Sequence, residues 1–412
     1  MNAHFKHIAQ SPLVRDSAKL LSANVIAQVI GLVIYPLLTR LYLPDDFGEL
    51  NIFLSMGGII TLLSTAELQY AIVLPKDDHK AWNLLQCALI VLIITTLATL
   101  WKPLLALYVF VMGLWTLLNY WYTRQQRFSA IARYQVGQSI SSAALKSGMG
   151  YIHLGSGLIW GSILAPLLSL VSNWFYAGKQ SLSGHLKTPW KKDELTTALQ
   201  EYKNFPCYNL PRSLVNNLGG NLPALILAPV FSLAELGFFG MALTLAFRPI
   251  NMVSASIYQV LFQQFSEHFN RRESIRPIFR KYVTNAALIA IPCFAILWWF
   301  LPTLCGWILG EGWETCGTYI RWMLPWLLCS LLVAPICSLS DVFGQQKKGF
   351  LFELLLFVAR IGGMSIGLFT HQFIHAVIGY SIGNAVVMAL QLIWYTSLVH
   401  RYELAQKGDS LS

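Results

Sequence analysis

The chain has 412 residues, of which 55% are hydrophobic and only 12% are charged, and its formal net charge is +10. Soluble globular proteins carry about 25% charged residues, so this composition excludes an ordinary soluble domain. The apolar residues come in runs of about 20, the length that an α-helix needs to cross a membrane. We therefore predict an all-α integral membrane protein. Its seven cysteines form no CxxC pair and no His lies at zinc spacing from them, so no metal or other cofactor is predicted.

Twelve apolar stretches follow one another along the chain, and the fifth is the weakest. They cover residues 20–42, 49–74, 81–101, 103–123, 131–151, 155–177, 207–231, 235–262, 282–305, 317–341, 349–370 and 373–399. A hydrophilic loop divides them into six and six. We expect an N-terminal lobe over 1–177, a cytoplasmic loop over 178–205 and a C-terminal lobe over 206–412.

Basic residues alternate sharply between the two sides of these spans. On the side of the N-terminus the connecting segments hold 22 of the 29 Lys and Arg residues, whereas the opposite side holds only Arg40 and Lys102. Lys and Arg remain preferentially in the cytoplasm, so both termini are predicted to be cytoplasmic. The net positive charge is then explained by a cytoplasmic surface against anionic headgroups and implies no nucleic-acid partner.

A short pattern recurs near the start of each half. Asp46-Phe47-Gly48 and Glu235-Leu236-Gly237 each join an apolar stretch to the next one, and the two acids lie 189 residues apart. A carboxylate at the first turn of a helix satisfies free N–H groups and the helix dipole. The pattern predicts a capped corner in each half, and two parallel repeats of six spans are an architecture of transporters.

Four spans carry a polar stripe at helical spacing. The residues are Asn24, Gln28, Gly31 and Tyr35 in the first span, Gln135, Gln138, Ser142 and Lys146 in the fifth, Asn209, Arg212, Asn216 and Gly220 in the seventh, and Arg248, Asn251, Ser254 and Tyr258 in the eighth. Polar stripes are unfavourable against lipid, so these faces should meet. They could form interhelical hydrogen bonds, or they could line a hydrated central cavity.

Charged residues within spans are costly and are expected to face the protein interior or water. Arg321 lies near the outer end of its span and can reach the interface. Arg360 follows Glu353 by two helical turns, so an internal ion pair is one interpretation. Glu67 and Glu353 are either ion-pair partners or sites for a coupling cation or proton. Because basic groups outnumber acids in the spans, a cavity there would suit an anion, and guanidinium groups match phosphate oxygens.

Four stretches resemble the bacterial polysaccharide exporters known as Wzx-type O-antigen flippases. They are YPLLTRLYLPDDFGELNIFLS from Tyr35, AIVLPKDD from Ala71, YKNFPCYNLPRSLVNNLGGNLPALILAPVF from Tyr202 and LGFFGMALTLAFRPINMVSASIYQVLFQQFSE from Leu236. This polysaccharide transporter family belongs to the multidrug/oligosaccharidyl-lipid/polysaccharide exporter (MOP) superfamily. The chain departs from the family pattern before AIVLP, where many members carry an Arg and then a Glu instead of Glu67 and Gln69.

The resemblance implies two six-helix lobes around a central cavity in the bacterial inner membrane. It implies a transporter, not an enzyme, that flips undecaprenyl-diphosphate-linked oligosaccharide to the periplasmic leaflet by alternating access. Its partners would be that lipid-linked oligosaccharide, membrane lipids, and the polymerase and chain-length regulator of the same pathway. We expect Arg248, Arg360 and Lys146 to attract the diphosphate, with Arg212 near the cytoplasmic mouth. The expected sugar contacts are Asn24, Gln28, Gln138, Asn216, Asn251 and Tyr258.

Three other functions remain to be distinguished. A cation-coupled multidrug exporter of the same superfamily calls for an acidic, aromatic cavity, whereas the charges here are mainly basic. A membrane enzyme acting on polyprenyl-linked sugars usually needs a large outer loop or an acidic pair near the outer surface. A purely structural membrane protein would not need charges facing a cavity.

Overall fold

A computed structural model describes residues 12–184 and 190–409, and in these residues the chain is helical without any β-strand. The short irregular links include single π turns at Trp174–Gly178 and Phe205–Asn209 and a 3-10 turn at Ala334–Ile336. The helices are α1 (Pro12–Val33), α2 (Tyr35–Leu41), α3 (Pro44–Thr65), α4 (Leu68–Ala71), α5 (Asp78–Ala98), α6 (Pro103–Arg124), α7 (Phe128–Tyr151), α8 (Gly157–Asn173), α9 (Lys179–Leu182), α10 (Lys192–Glu201), α11 (Leu210–Leu227), α12 (Leu233–Asn270), α13 (Arg276–Leu309), α14 (Glu314–Val333), α15 (Leu339–Val342), α16 (Gln346–Thr370) and α17 (Phe373–Asp409).

Ten helical segments of the described chain are long and apolar enough to cross a membrane, which makes this a multi-pass membrane protein. They coincide with ten of the twelve predicted spans. The remaining two, the fifth and the seventh, form helices α7 and α11, but these are not apolar enough to count among the ten. Both carry a polar stripe, which replaces apolar side chains at every turn. The first and eighth spans also carry a stripe but keep a window that is apolar enough to be counted.

The second predicted span is shorter than expected, because the helix breaks at Ala66 and Glu67. Both residues have left-handed backbone angles, with φ of 47° and 61°. This conformation is unfavourable for residues with a Cβ atom. The span predicted over 49–74 is therefore wrong beyond Thr65, where α3 ends and the single turn of α4 follows.

The chain forms two compact units, Met1–Asn221 and Leu222–Ser412. The boundary of these units lies inside α11. In the first unit α1 and α2 pack on α7, while α3, α5 and α6 form a second group that meets α8. The lobe limits at 177 and 206, which were inferred from the hydrophilic loop between the sixth and seventh spans, remain a prediction.

Aromatic side chains organise the core of the first unit. The rings of Trp115 and Tyr134 stack at 3.3 Å between centroids, which holds α6 against α7. Trp82 meets Trp121 edge-on at 5.5 Å, and the Trp121 indole donates to the Ser181 hydroxyl at 3.0 Å. Buried Trp N–H groups normally find such a partner.

The segment predicted as a hydrophilic loop contains a docked helix. In α10 the side chain of Ala198 is buried, and the Leu195 carbonyl accepts from the Cys87 thiol at 3.5 Å. Glu201 pairs with Lys80 at 3.2 Å. The apolar side of this short amphipathic helix thus covers the beginning of α5, and its charged side remains exposed.

Arg124, at the end of α6, fastens the AIVLPKDD segment. Its guanidinium donates to the carbonyls of Ile72 and Pro75 and pairs with Asp78 at 2.8 Å. The side chain is only 10% exposed. One arginine therefore satisfies backbone carbonyls of a turn that lacks regular helical hydrogen bonds.

The two corners predicted from the repeated pattern are confirmed as helix caps. Asp46 is the third residue of α3, and its carboxylate accepts from the Leu43 N–H at 2.9 Å. Glu235 is the third residue of α12 and accepts from the Ser232 N–H at 3.1 Å. In both corners the next two residues, an apolar side chain and a glycine, are buried. The halves therefore use the same residue types at the same helical positions.

In the second unit α16 and α17 approach at backbone distance. A methyl group added to Gly363 would overlap the carbonyl of Gly379, and one on Gly379 would overlap the carbonyl of Gly363. Small residues allow such close approach in membranes, where apolar side chains gain little from meeting each other. Beside this pair α14 packs on α12, α13 and α17.

Candidate functional site

The five stripe amides that we expect to contact sugars share one property. Although they are accessible or only half-buried, none donates to or accepts from any other residue that the structure describes. These residues are Asn24, Gln28, Gln138, Asn216 and Asn251. An amide facing lipid without a partner would cost several kcal/mol. Among the described residues, then, these groups do not form the interhelical hydrogen bonds that were one interpretation of the stripes.

Two stripes of the first unit lie beside the same interface. The Ser139 hydroxyl of α7 donates to the Ala27 carbonyl of α1 at 2.8 Å. Ser139 and Ala27 directly adjoin Gln138 and Gln28. This bond therefore joins α1 to α7 at residues that are next in sequence to the two stripes.

Lys146 and Arg212 lie in the first unit in different settings. The Lys146 side chain is half-buried, its stem lies against Gly161 of α8, and its carbonyl accepts from the Tyr42 hydroxyl at 2.8 Å. Arg212 of α11 is exposed and makes no hydrogen bond or ion pair with another described residue. Lys146 is therefore held in place by packing, whereas Arg212 is a free surface cation within the described chain.

Arg360 lies in the second unit, on α16, and its partner is an amide. Its Nε donates to Oδ1 of Asn384 at 2.8 Å, and Asn384 is completely buried. The Asn384 amide in turn donates to the Tyr380 carbonyl at 2.7 Å, which fixes its orientation. The remaining guanidinium nitrogens of Arg360 have no partner among the described residues, so they are available to an anion.

The interpretation that paired Arg360 with Glu353 is wrong for the described structure. No ion pair joins them, and Glu353 is exposed. Seven residues along a helix correspond to about 10.5 Å, which is a long reach for the two side chains. Asn384, on the neighbouring helix, is closer. The sequence signal that we missed was the amide of Asn384 in the middle of the last span.

Arg248 is half-buried on α12 and is linked to the Arg360 region through aromatic rings. Its neighbour Phe247 lies 4.3 Å from Trp326, measured between ring centroids. Trp326 meets Tyr380 edge-on at 5.0 Å, and Tyr380 is within electrostatic reach of Arg360. About three turns further along α12, Tyr258 is half-buried and stacks on Phe262, with 5.9 Å between ring centroids.

Glu67, at the break after α3, is 2% exposed. The Ser213 hydroxyl of α11 donates to its carboxylate, and no ion pair involves it in the described chain. The nearby Tyr70 and Tyr120 rings meet at 4.9 Å. A buried carboxylate held by a hydroxyl and not by a cation is an unusual arrangement. Sequence analysis did not identify Ser213, which is the residue after Arg212.

The chain matches a known protein family over much of its length. A family model described as "Polysaccharide biosynthesis protein" matches residues 37–318, which is more than half of the chain. The chain belongs to this polysaccharide biosynthesis protein family. The family resemblance inferred from the sequence is thereby confirmed. No curated protein sequence matches the chain.

Solved structures of transporters share the fold. An inward-facing multidrug resistance MATE family transporter of the MOP superfamily has a TM-score of 0.69 at 15% identity, covering 94% of this chain and 98% of its own. The lipid II flippase MurJ, in an inward closed conformation, has a TM-score of 0.66 at 10% identity, with coverages of 97% and 92%. A MOP superfamily transporter from Pyrococcus furiosus, described with a binding pocket of reverse polarity, has 0.52 at 13%, with coverages of 95% and 96%. The two-lobe fold of this superfamily is therefore shown for the present chain.

Proposed function

We propose that the protein flips a polyprenyl-diphosphate-linked oligosaccharide, of the undecaprenyl type, from the cytoplasmic to the periplasmic leaflet of the bacterial inner membrane. Membership of a polysaccharide biosynthesis family supports the sugar, and the fold it shares with MOP transporters and a lipid II flippase supports the transport. The observation that carries the proposal is the set of accessible stripe amides without partners in the described chain. Such groups suit a passage that sugar hydroxyls and water can fill.

The physical obstacle to flipping is the polar head, because the polyprenyl tail can stay in lipid. A diphosphate and many hydroxyls would cross hydrocarbon at several kcal/mol for each unsatisfied group. A wet passage lined by polar side chains, open first inward and then outward, would remove most of this penalty. Alternation by rocking of the lobes is the mechanism we propose, as in other transporters built from repeats.

We assign the basic residues to the diphosphate and the amides to the sugars. The assignment of Arg360 has the strongest support, because Asn384 accepts from its Nε and leaves the other guanidinium nitrogens for phosphate oxygens. Arg248 and Lys146 would add positive charge, and Arg212 would meet the substrate first. Tyr258 offers a half-buried ring beside the amide stripe, a surface on which a sugar ring can pack.

Orientation follows from the distribution of Lys and Arg. With both termini in the cytoplasm, 22 basic residues face the cytoplasm, in agreement with the positive-inside rule. The flipped product would then be delivered to the outer leaflet. A polymerase and a chain-length regulator acting there on the same lipid-linked sugars are the partners we expect.

The test is a flipping assay in proteoliposomes with a fluorescent lipid-linked oligosaccharide. Arg248→Ala and Arg360→Ala should each lower the initial rate at least tenfold at equal amounts of folded protein. Lys348→Ala is the matched control, because Lys348 is an exposed cation at the start of the same helix as Arg360. Unchanged rates for both arginine variants would remove these residues from the proposed site.

A second experiment separates the flippase from the alternatives. Deletion of the gene should leave lipid-linked oligosaccharide accumulating on the cytoplasmic leaflet with its sugars already assembled. An enzyme acting on the same carrier would leave a changed sugar structure instead, and a multidrug exporter would change drug sensitivity without changing the lipid-linked pool. Either of these outcomes would contradict the proposal.

A further inference from the structure

A basic crevice lies in the second unit between the start of α13 and the last third of α17. It has a volume of about 300 Å³. Its polar walls are formed by Arg276, Arg280 and Thr284 of α13 and by Thr396 and His400 of α17. None of these residues belongs to the stripes proposed for the substrate. The crevice lies at the end of the unit that the distribution of basic residues predicts to be cytoplasmic.

The positive charge of the crevice is only partly neutralised. Glu403 is the acid beside it, and its carboxylate accepts from the Ser274 hydroxyl at 2.7 Å and from the N–H groups of Ile275 and Arg276 at 3.1 Å. That carboxylate therefore caps α13. Arg280 makes no hydrogen bond or ion pair with another residue in the described part of the chain. Its guanidinium is exposed to the crevice with its donors unused.

The helix faces beyond the crevice are apolar and uncovered within the unit. The floor is formed by Phe279, Val283 and Val399. One to three turns further along the helices, Leu288 is 73% exposed and Ile393 is 64% exposed. A basic opening followed at once by exposed apolar side chains matches an amphiphile with an anionic head and a hydrocarbon tail.

We propose that this crevice binds the phosphate head group of an anionic membrane phospholipid. The guanidinium groups of Arg276 and Arg280 donate to the phosphate oxygens, with the hydroxyls of Thr284 and Thr396 beside them. An acyl chain lies along the apolar faces of α13 and α17. A volume of about 300 Å³ is at the lower limit of ligand sites and suits a head group, not a whole lipid. The site is independent of the proposed transport function, so either can fail alone.

The experiment uses the purified full-length protein in a neutral detergent. Binding of phosphatidylglycerol and of phosphatidylcholine with the same acyl chains is measured by native mass spectrometry and by the shift in thermal stability. Phosphatidylglycerol should bind at least tenfold more tightly than phosphatidylcholine. Arg280→Gln should remove most of this preference, whereas Lys281→Gln should keep it. Lys281 is the matched control, since it is the next residue, has the same charge, is exposed and lies outside the crevice.

Two further arms keep the result interpretable. Thr396→Trp fills the crevice while leaving both arginines, and it should also abolish the preference. Inorganic phosphate alone should neither stabilise the protein nor displace the lipid. The proposal is overturned if Arg280→Gln and Lys281→Gln behave alike, if the two lipids bind equally, or if free phosphate reproduces the stabilisation.

Discussion

The contact between Arg360 and Asn384 offers a way to neutralise one cation without removing it. Asn384→Asp replaces an amide by a carboxylate of the same shape, next to Nε of Arg360. At the observed 2.8 Å the added attraction is about 6 kcal/mol for an effective dielectric constant of about 20. From this must be subtracted the desolvation cost of the carboxylate and about 1–3 kcal/mol for the lost hydrogen bond from the amide to the Tyr380 carbonyl. The pair should therefore form, and the protein should remain folded.

The expected effect on transport follows from the loss of the unpaired Arg360 charge, which would otherwise attract the diphosphate. A hydrogen bond to a charged group contributes about 1.5–3 kcal/mol, which corresponds to about 10- to 150-fold in affinity. Asn384→Asp should lower the flipping rate at limiting substrate by a factor in this range. Asn384→Ala serves as the contrasting variant, because it removes the hydrogen bond but leaves the positive charge of Arg360. It should lower the free energy of unfolding by about 1–2 kcal/mol and reduce the flipping rate less than Asn384→Asp does.

Both variants are measured in the same proteoliposome assay, with the folded fraction determined by size-exclusion chromatography after heating. The two measurements should therefore rank the variants in opposite order. Asn384→Asp should be more stable than Asn384→Ala, but it should flip the substrate more slowly. If Asn384→Asp flipped substrate at the wild-type rate with equal folded protein, the Arg360 charge would not act on the substrate, and its assignment to the diphosphate would be wrong.

Three other predictions concern the first unit. Arg124→Ala should lower the free energy of unfolding by about 1–3 kcal/mol, because it leaves the carbonyls of Ile72 and Pro75 without their donor. The ion pair adds little to this loss, since Asp78 is 71% exposed. Lys76→Ala should change the free energy of unfolding little, and equal effects of the two variants would contradict this role of Arg124. Ser213→Ala removes the described donor to the Glu67 carboxylate and should cost about 1–3 kcal/mol, whereas Ser213→Thr keeps the hydroxyl and should be nearly neutral in the same measurement. The hydrogen bond from Lys191 lowers the pKa of Glu194, and so do His79 and the Asn83 amide of α5, which contact the same carboxylate. Because the contacts of His79 and Asn83 join α10 to α5, docking of α10 should be intact above the ordinary Glu pKa and weaken as pH falls through the lowered value. Hydrogen exchange of α10, corrected for intrinsic rates, should show this loss, and Glu194→Gln should remove the pH dependence.

The apolar spans and the corners could be predicted because both depend on local rules. A run of about 20 apolar residues has few alternatives to a membrane helix. The acid at the third position of α3 and α12 satisfies N–H groups of its own helix, so its role depends only on its neighbours. The polar stripe likewise marked the fifth span, α7, as the weakest, whereas the seventh, α11, was predicted as an ordinary span.

Features that depend on contacts between helices were not predictable in this way. The break at Ala66 and Glu67 contains no Gly or Asn that would indicate left-handed backbone angles. The residue that Glu67 contacts there, Ser213, is far away in sequence. Arg360 has an acid on its own helix, yet it bonds to an amide 24 residues away. The docking of α10 on α5 is another such case, because the many charged residues of α10 are typical of a solvated loop.

The backbone contact between Gly363 and Gly379 has a mechanical consequence. Two helices that touch through their carbonyls cannot slide or spread by small adjustments of side chains, so α16 and α17 should travel as one stiff lever during any change of access. Arg360 and Asn384, on opposite arms of that lever, would then keep their bond throughout the cycle. The Arg360 guanidinium would then keep its position relative to α16 and α17, and its orientation would change only when the whole helical hairpin moves.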